Sequence, residues 1–335
     1  MSESVCVLGA GSFGTALAKL LAENGHSVRL WARDEAVVLG INDEHKHPRR
    51  LPGVRLPAGL KAMTSMAEAM KGSSLVVSSL PTVAVRPVWA EAGGFLPSNA
   101  TVMSATKGIE IGSLKLVSEV LSQSVPEASR GNLCYLSGPS FALEMARRLP
   151  TAVTIAAVDE AVAVRAQNIV STDYFRAYTT TDVVGVELAG ALKNVIAIAA
   201  GCGDGLGFGH NTLAALITRG LAEMGRLAVK LGAFPLTLAG LAGMGDLVLT
   251  CTGALSRNRT VGMLLGQGKP LDEILKEIGQ VAEGVNTARA VYDLARREQV
   301  EMPISDAVYR LLFEGTDPRE EVYGLMGRRL KAEHG

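Results

Sequence analysis

Two hydrophobic rhythms share this chain, and one gives way to the other near residue 182. Before that point short apolar runs recur at 5–8, 26–33, 75–78, 101–104, 133–136, 152–157 and 175–178, separated by helical patterns. Strands spaced by helix-length segments predict βα units and a doubly wound, mostly parallel sheet of α/β class. After residue 182 strand signals stop. Apolar residues recur with the 3.6-residue period of helices over 183–201, 211–231, 257–266, 284–299 and 303–314, predicting an all-helical second part. Segment 42–59, with His45, His47, Pro48, Pro52 and Pro57, reads as a loop rich in breakers. Residues 328–335 read as a solvated tail.

The first strand runs directly into Gly9-Ala10-Gly11-Ser12-Phe13-Gly14, and an Ala/Leu-rich helical run follows without a break. Glycine, at 37 of 335 residues, is common enough that the spacing alone is weak. Its context is what counts. Gly9 permits a tight turn, Gly11 lets backbone approach a pyrophosphate, and Gly14 lets helix pack on strand. The free N–H groups of Ser12 and Phe13 then face phosphate from the positive helix end. The first part is therefore expected to be a Rossmann-like dinucleotide-binding domain. About 20 residues on, an acid selects the ribose of NAD and an arginine favours the 2′-phosphate of NADP. This chain places Arg33 and Asp34 there. Asp34 reads either as a ribose acceptor or as the N-cap of a helix over 35–41, so the cofactor is NADP or NAD, with NADPH favoured through Arg33.

A length of 335 residues predicts two domains, a dinucleotide domain over 1–182 and a helical substrate domain over 183–335. With 33 basic and 33 acidic residues the formal charge is zero, and no long single-sign run points to nucleic acid or an anionic membrane. Cys6, Cys134, Cys202 and Cys251 are scattered without metal-ligand spacing, as expected of buried thiols in a reducing, cytoplasmic compartment. The cofactor strand begins by residue 4, so no secretory leader is expected. The longest apolar stretch, 183–202, carries Glu187 and Lys193 and reads as a buried core helix rather than a membrane span.

Ligands of doubly wound sheets gather at the carboxyl ends of the strands. Lys107, beside Gly108, follows one such end. Gly138-Pro139-Ser140 follows another, with Pro139 expected at the first helical position and Ser140 able to cap or to bind. In the helical part Lys193 shares its face with Val186, Ala189, Gly190, Ala197 and Ala200, small neighbours that leave room for a ligand. Desolvation there would favour a neutral amine, as a general base requires. A snorkelling lysine at a domain seam is the plainer reading. Asp246 follows Gly243-Met244-Gly245, and Ser256-Arg257-Asn258 opens a helix where a cap, N–H groups and guanidinium charge could hold phosphate.

Taken together, these blocks resemble the NAD(P)-dependent glycerol-3-phosphate dehydrogenases of bacteria. The resemblance also rests on Ala105-Thr106-Lys107-Gly108, Glu187-Leu188-Ala189-Gly190-Ala191-Leu192-Lys193-Asn194 and Asp204-Gly205-Leu206-Gly207. It implies an enzyme that interconverts dihydroxyacetone phosphate and sn-glycerol 3-phosphate and supplies glycerophospholipid synthesis, acting as a homodimer. It further implies Lys193 as proton donor and acceptor. Lys107, Gly138, Ser140, Asp246, Ser256, Arg257 and Asn258 would surround the substrate. Ser12, Phe13, Arg33, Lys107, Ala142, Arg257, Val281 and Glu283 would contact the cofactor beside the glycines. Asp34 stands where many relatives carry a second basic residue or histidine, Arg50 replaces an aromatic, and His210 replaces an asparagine. Other readings are a two-domain reductase of 3-hydroxy acids or ketopantoate, a dinucleotide-binding sensor, and a hydrolase built on Ser140. The last lacks the closing glycine of a nucleophile elbow and has only His334 as a late histidine.

Overall fold

The computed structural model describes residues 2–279, 281–330, 332 and 333. Its first part alternates strands and helices: β1 (Ser4–Leu8), α1 (Ser12–Glu23), β2 (Ser27–Trp31), α2 (Glu35–Asn42), β3 (Lys61–Met63) and α3 (Met66–Met70). Then come β4 (Leu75–Ser78), α4 (Thr82–Ala92), β5 (Thr101–Ser104), α5 (Val117–Ser124) and β6 (Leu133–Ser137). The sheet closes with α6 (Ala142–Ala146), β7 (Thr151–Ala156), α7 (Glu160–Val170) and β8 (Phe175–Thr180). Strand order is β3-β2-β1-β4-β5-β6-β7-β8.

Both faces of this sheet are covered, which explains why its strands are apolar throughout. Val5 and Val7 of β1 pack with Leu17 and Leu21 on one side. Cys6 and Leu8 pack with Met70 and Trp89 on the other. The order reverses at β1, flanked by β2 and β4, and this switch point opens the crevice where ligands of such sheets sit. Every pairing is parallel except β6 with β7. The intervening α6 has five residues, about 7.5 Å of helix, too short to carry the chain back along a strand of about 16 Å. The chain therefore returns antiparallel. Strand β3, pairing Arg29 with Lys61, lies just after the breaker-rich loop and has too few residues to show a period.

Among the described residues everything after Thr180 is helix or loop. The helices are α8 (Val183–Gly205), α9 (His210–Lys230), α10 (Pro235–Ala239), α11 (Asp246–Thr252) and α12 (Arg257–Gly266). They continue with α13 (Leu271–Ile278), α14 (Glu283–Glu298), α15 (Pro303–Phe313) and α16 (Pro318–Met326). Helix α8 is the axis of this part; 89% of its most apolar window is buried inside the fold. The four cysteines are buried, separate thiols. His210 begins α9 in an exposed position, and nothing in the structure explains it. The tail expected over 328–335 falls partly on 331, 334 and 335, outside the described residues, as does His334.

Close approach of α8 to α12 depends on glycine. A Cβ on Gly201 would lie 1.9 Å from the Arg259 carbonyl oxygen, and one on Gly262 would lie 1.9 Å from that of Ile198. Backbone cannot yield to such overlap without the helices moving apart. Gly262→Ala should therefore cost about 1–3 kcal/mol of stability, read as a lower urea midpoint at unchanged slope. An unchanged midpoint would show that the helix pair is free to separate.

Candidate active site

The glycine-rich turn fits a dinucleotide phosphate group by geometry. Gly9 has φ +110°, and a Cβ there would meet the Ser79 carbonyl oxygen at 2.5 Å. A Cβ on Gly14 would meet the Gly9 carbonyl oxygen at 2.0 Å. One on Gly11 meets nothing within 4 Å, so the turn is packed on its inner side and open at Gly11. Gly11 is the N-cap of α1, whose first turn holds no acid and no side-chain cap. The first-turn N–H groups at Ser12 and Phe13 are thus left for an anion. Phe13 and Ala142 rest, half-buried, against the core beneath this crevice.

Across the crevice, three charged side chains from distant parts of the chain converge. Lys107, beyond the end of β5, places Nζ 2.6 Å from Asp246 Oδ2 and 3.1 Å from the Gly138 carbonyl oxygen. Lys193 of α8 places Nζ 2.8 Å from Asp246 Oδ1 and donates to Thr250 Oγ1 at 2.7 Å. The Thr250 hydroxyl donates to the Asp246 carbonyl oxygen at 2.6 Å, so its lone pair faces the lysine. One buried carboxylate is shared by two ammonium groups. Each lysine has three N–H donors and commits two, leaving one apiece for a ligand.

Burial controls the electrostatics here. Desolvation brings the Lys193 amine down from 10.5 to about 8, against the pull of Asp246 in the opposite direction. For Asp246, burial alone would raise the carboxyl, but Lys107 and Lys193 together hold it below the usual carboxylate range. Two lysines and one aspartate leave a net positive site.

The substrate-end expectations fare unevenly. Asp246 is the first residue of α11, with Gly245 as its N-cap, so its carboxylate is not spent on capping. Ser256 caps α12, accepting from the Arg259 N–H at 3.2 Å. Asn258 is buried as a tie between helices: its Nδ2 donates to Asn194 Oδ1 at 2.9 Å and its Oδ1 accepts from the Gly284 N–H at 3.0 Å. That leaves one amide N–H. Arg257 is exposed and donates through Nη1 to the Val281 carbonyl oxygen at 2.8 Å. Glu283 begins α14 and accepts from Thr82 Oγ1 at 2.9 Å, joining the helical part to α4.

Pro139 does not start a helix. Helix α6 begins three residues later at Ala142, with Phe141 as its N-cap. The intervening loop lets the Ser140 hydroxyl donate to the Gly138 carbonyl oxygen at 2.9 Å, the same oxygen that accepts from Lys107. Gly138 itself has φ +133°, and a Cβ there would press on Val153 Cα at 2.9 Å. Arg33 is exposed beyond the end of β2, and Asp34 caps α2 through the Ala36 N–H at 2.9 Å, as the capping alternative held. Thr250 and Asn194 were not singled out from sequence. Thr250 is four residues after Asp246, on the same helix face, and that spacing was the available signal.

Lys193 of α8 and Lys107, beyond the end of β5, meet on Asp246, so the helical part brings a titratable amine to the carboxyl ends of the strands. The class is a two-domain, dinucleotide-dependent oxidoreductase. Family models agree over nearly the whole chain. NAD-dependent glycerol-3-phosphate dehydrogenase N-terminus matches residues 4–163, and NAD-dependent glycerol-3-phosphate dehydrogenase C-terminus matches 182–323. The chain belongs to the NAD-dependent glycerol-3-phosphate dehydrogenase family. Glycerol-3-phosphate dehydrogenase (NAD(P)+) of Geobacter sp. (strain M21) is 55% identical over 99% of both chains, and that of Myxococcus xanthus is 53% identical over 98% of both. The crystal structure of glycerol-3-phosphate dehydrogenase from Coxiella burnetii superposes with TM-score 0.92 at 39% identity, covering 98% of this chain and 99% of that one. A ketopantoate reductase from Ralstonia eutropha, at 15% identity and TM-score 0.57 over 95% and 99% of the two chains, shares the fold alone.

Proposed function

We propose that the cleft between the sheet domain (1–182) and the helical domain (183–335) performs the family's reaction, interconverting dihydroxyacetone phosphate and sn-glycerol 3-phosphate, with Lys193 moving the proton. The observation that carries this reading is the sharing of Asp246 by Lys193 and Lys107 at 2.8 and 2.6 Å. When bound, the reduced nicotinamide supplies a hydride for the C2 carbonyl. Charge then builds on the carbonyl oxygen, and the uncommitted N–H of Lys193 stabilises it and delivers the proton. In the reverse direction the same amine, neutral, takes the hydroxyl proton. A pKa near 8 gives it both forms near neutral pH. Asp246 fixes both lysines and leaves the site the positive charge that suits a phosphorylated three-carbon substrate.

Arg257, the cap at Ser256 and the remaining amide N–H of Asn258 form the phosphate end of this reading. Arg257→Ala should raise the KM for dihydroxyacetone phosphate by about 10- to 150-fold, the equivalent of a charge-assisted contact of about 1.5–3 kcal/mol. Its kcat should move little. Wild-type enzyme should reduce unphosphorylated dihydroxyacetone far less well, and inorganic phosphate should compete with the phosphorylated ketone. Equal turnover of the two ketones would remove the phosphate site. The reading includes a cytoplasmic homodimer without membrane or nucleic-acid contacts. Buried thiols support the compartment, zero formal charge supports the absence of nucleic-acid and anionic-membrane contacts, and the exposed Tyr323 and Met326 of α16 offer a partner copy apolar side chains.

A further inference from the structure

An aspartate at the end of the second strand ordinarily reads ribose hydroxyls and repels a 2′-phosphate. Asp34 occupies that place with both oxygens engaged. Its Oδ1 accepts from the Ala36 N–H at 2.9 Å, capping α2, and its Oδ2 is paired with Arg49 Nη2. The Arg49 guanidinium first, and the helix cap after it, hold this carboxyl below its usual range. The Asp34 and Arg49 side chains are 43% and 61% exposed, so the pair faces solvent at the adenosine end and can exchange partners.

Arg49 arrives there because the breaker-rich loop is built rather than slack. His47, buried, donates from Nε2 to the Ala10 carbonyl oxygen at 2.9 Å, inside the glycine-rich turn. Its Nδ1 accepts from the Arg49 N–H at 3.2 Å, which fixes that ring tautomer and seats Arg49. The Leu56 N–H closes the loop on the His45 carbonyl oxygen at 2.7 Å. His45 and Leu51 are held at φ +51° and +50°, a conformation uncommon for residues with side chains. The loop thus joins the phosphate turn to the ribose position, with Arg33, exposed, alongside.

We propose that Asp34 and Arg49 form an exchangeable pair that lets one adenosine site accept both NAD and NADP. With a 2′-hydroxyl, Asp34 remains on Arg49 and offers a lone pair to the ribose. With a 2′-phosphate, Arg49 leaves Asp34 and joins Arg33 on the phosphate. The inference rests on the glycine-rich turn as the dinucleotide site. The pair, rather than Arg33 alone, sets the preference.

The test is equilibrium binding of NADPH and NADH, followed by nucleotide fluorescence in wild type, Arg49→Ala and Asp34→Asn, each checked by thermal melting. Both side chains are half-exposed and the substitutions remove no core packing. Arg49→Ala should raise the Kd for NADPH about tenfold or more and leave that for NADH within about twofold. Asp34→Asn should act in the opposite sense, tightening NADPH and weakening NADH by several-fold. Adenosine 2′,5′-bisphosphate and AMP, titrated alone, should reproduce the same split. If either variant leaves the ratio of the two Kd values unchanged, the pair does not exchange and the proposal falls while the dinucleotide site stands. If wild type binds neither nucleotide, the site falls and the proposal with it.

Discussion

Replacing Lys193 with methionine will lower kcat by about 10²–10⁴-fold, the usual contribution of a positioned acid–base group, and will leave dinucleotide affinity in place. The separation follows from architecture: the glycine-rich turn belongs to α1 and β1, whereas Lys193 lies on α8 with its Nζ between Asp246 and Thr250. Methionine keeps the stem's packing and removes only the ammonium. The wild-type pH profile should carry the same signature. Ketone reduction needs the protonated amine and should decline as pH rises through about 8, while alcohol oxidation needs the neutral amine and should rise through it. Lys193→Arg sharpens the assignment, because a guanidinium holds the charge but does not deprotonate; oxidation should suffer more than reduction. A folded, dinucleotide-bound Lys193→Met enzyme with near-normal kcat would transfer the role to Lys107.

What could be read from the sequence was the chemistry held in contiguous stretches. The glycine turn, Lys107, Lys193 and Asp246 each sit in a local pattern that carries its own physical reason, and the switch from strand spacing to helical period located the two halves. Convergence was not readable. Lys107 and Asp246 are 139 residues apart, and no periodicity says that one carboxylate serves two lysines. Asn258 looked like a ligand from its place at a helix start. Its amide is largely used to tie α8 and α14 to α12. Arg49 was hidden because a loop of prolines and glycines has no period, and its position depends on a His47 bond to the Ala10 backbone. The reversal at β7 turned on the shortness of α6, and boundaries of five-residue helices lie below what apolar spacing resolves.

Asp246→Asn tests the convergence itself, and its effects should appear in stability, rate and pH dependence together. The carboxylate offers one oxygen to each lysine, at 2.8 and 2.6 Å. An amide keeps one acceptor and turns a pair of donors toward the other lysine, so one of the two bonds must break. Removing one partner from a buried ionic cluster costs about 3–5 kcal/mol. Lys107, with 17% of its side chain exposed, can turn toward water, whereas Lys193, at 8%, cannot. Without the carboxylate the main pull against desolvation at Lys193 is gone, so its pKa falls below the present value of about 8. The unfolded chain then binds more protons than the folded one over the window between the lowered value and 8. Variant stability must rise with pH there relative to wild type. The melting deficit should be largest from mildly acidic to neutral pH, where Asp246 is ionised in wild type, and shrink toward pH 8, and the basic limb of ketone reduction should move to lower pH. A deficit independent of pH, with an unmoved limb, would show that Asp246 fills space and does not set the charge on Lys193.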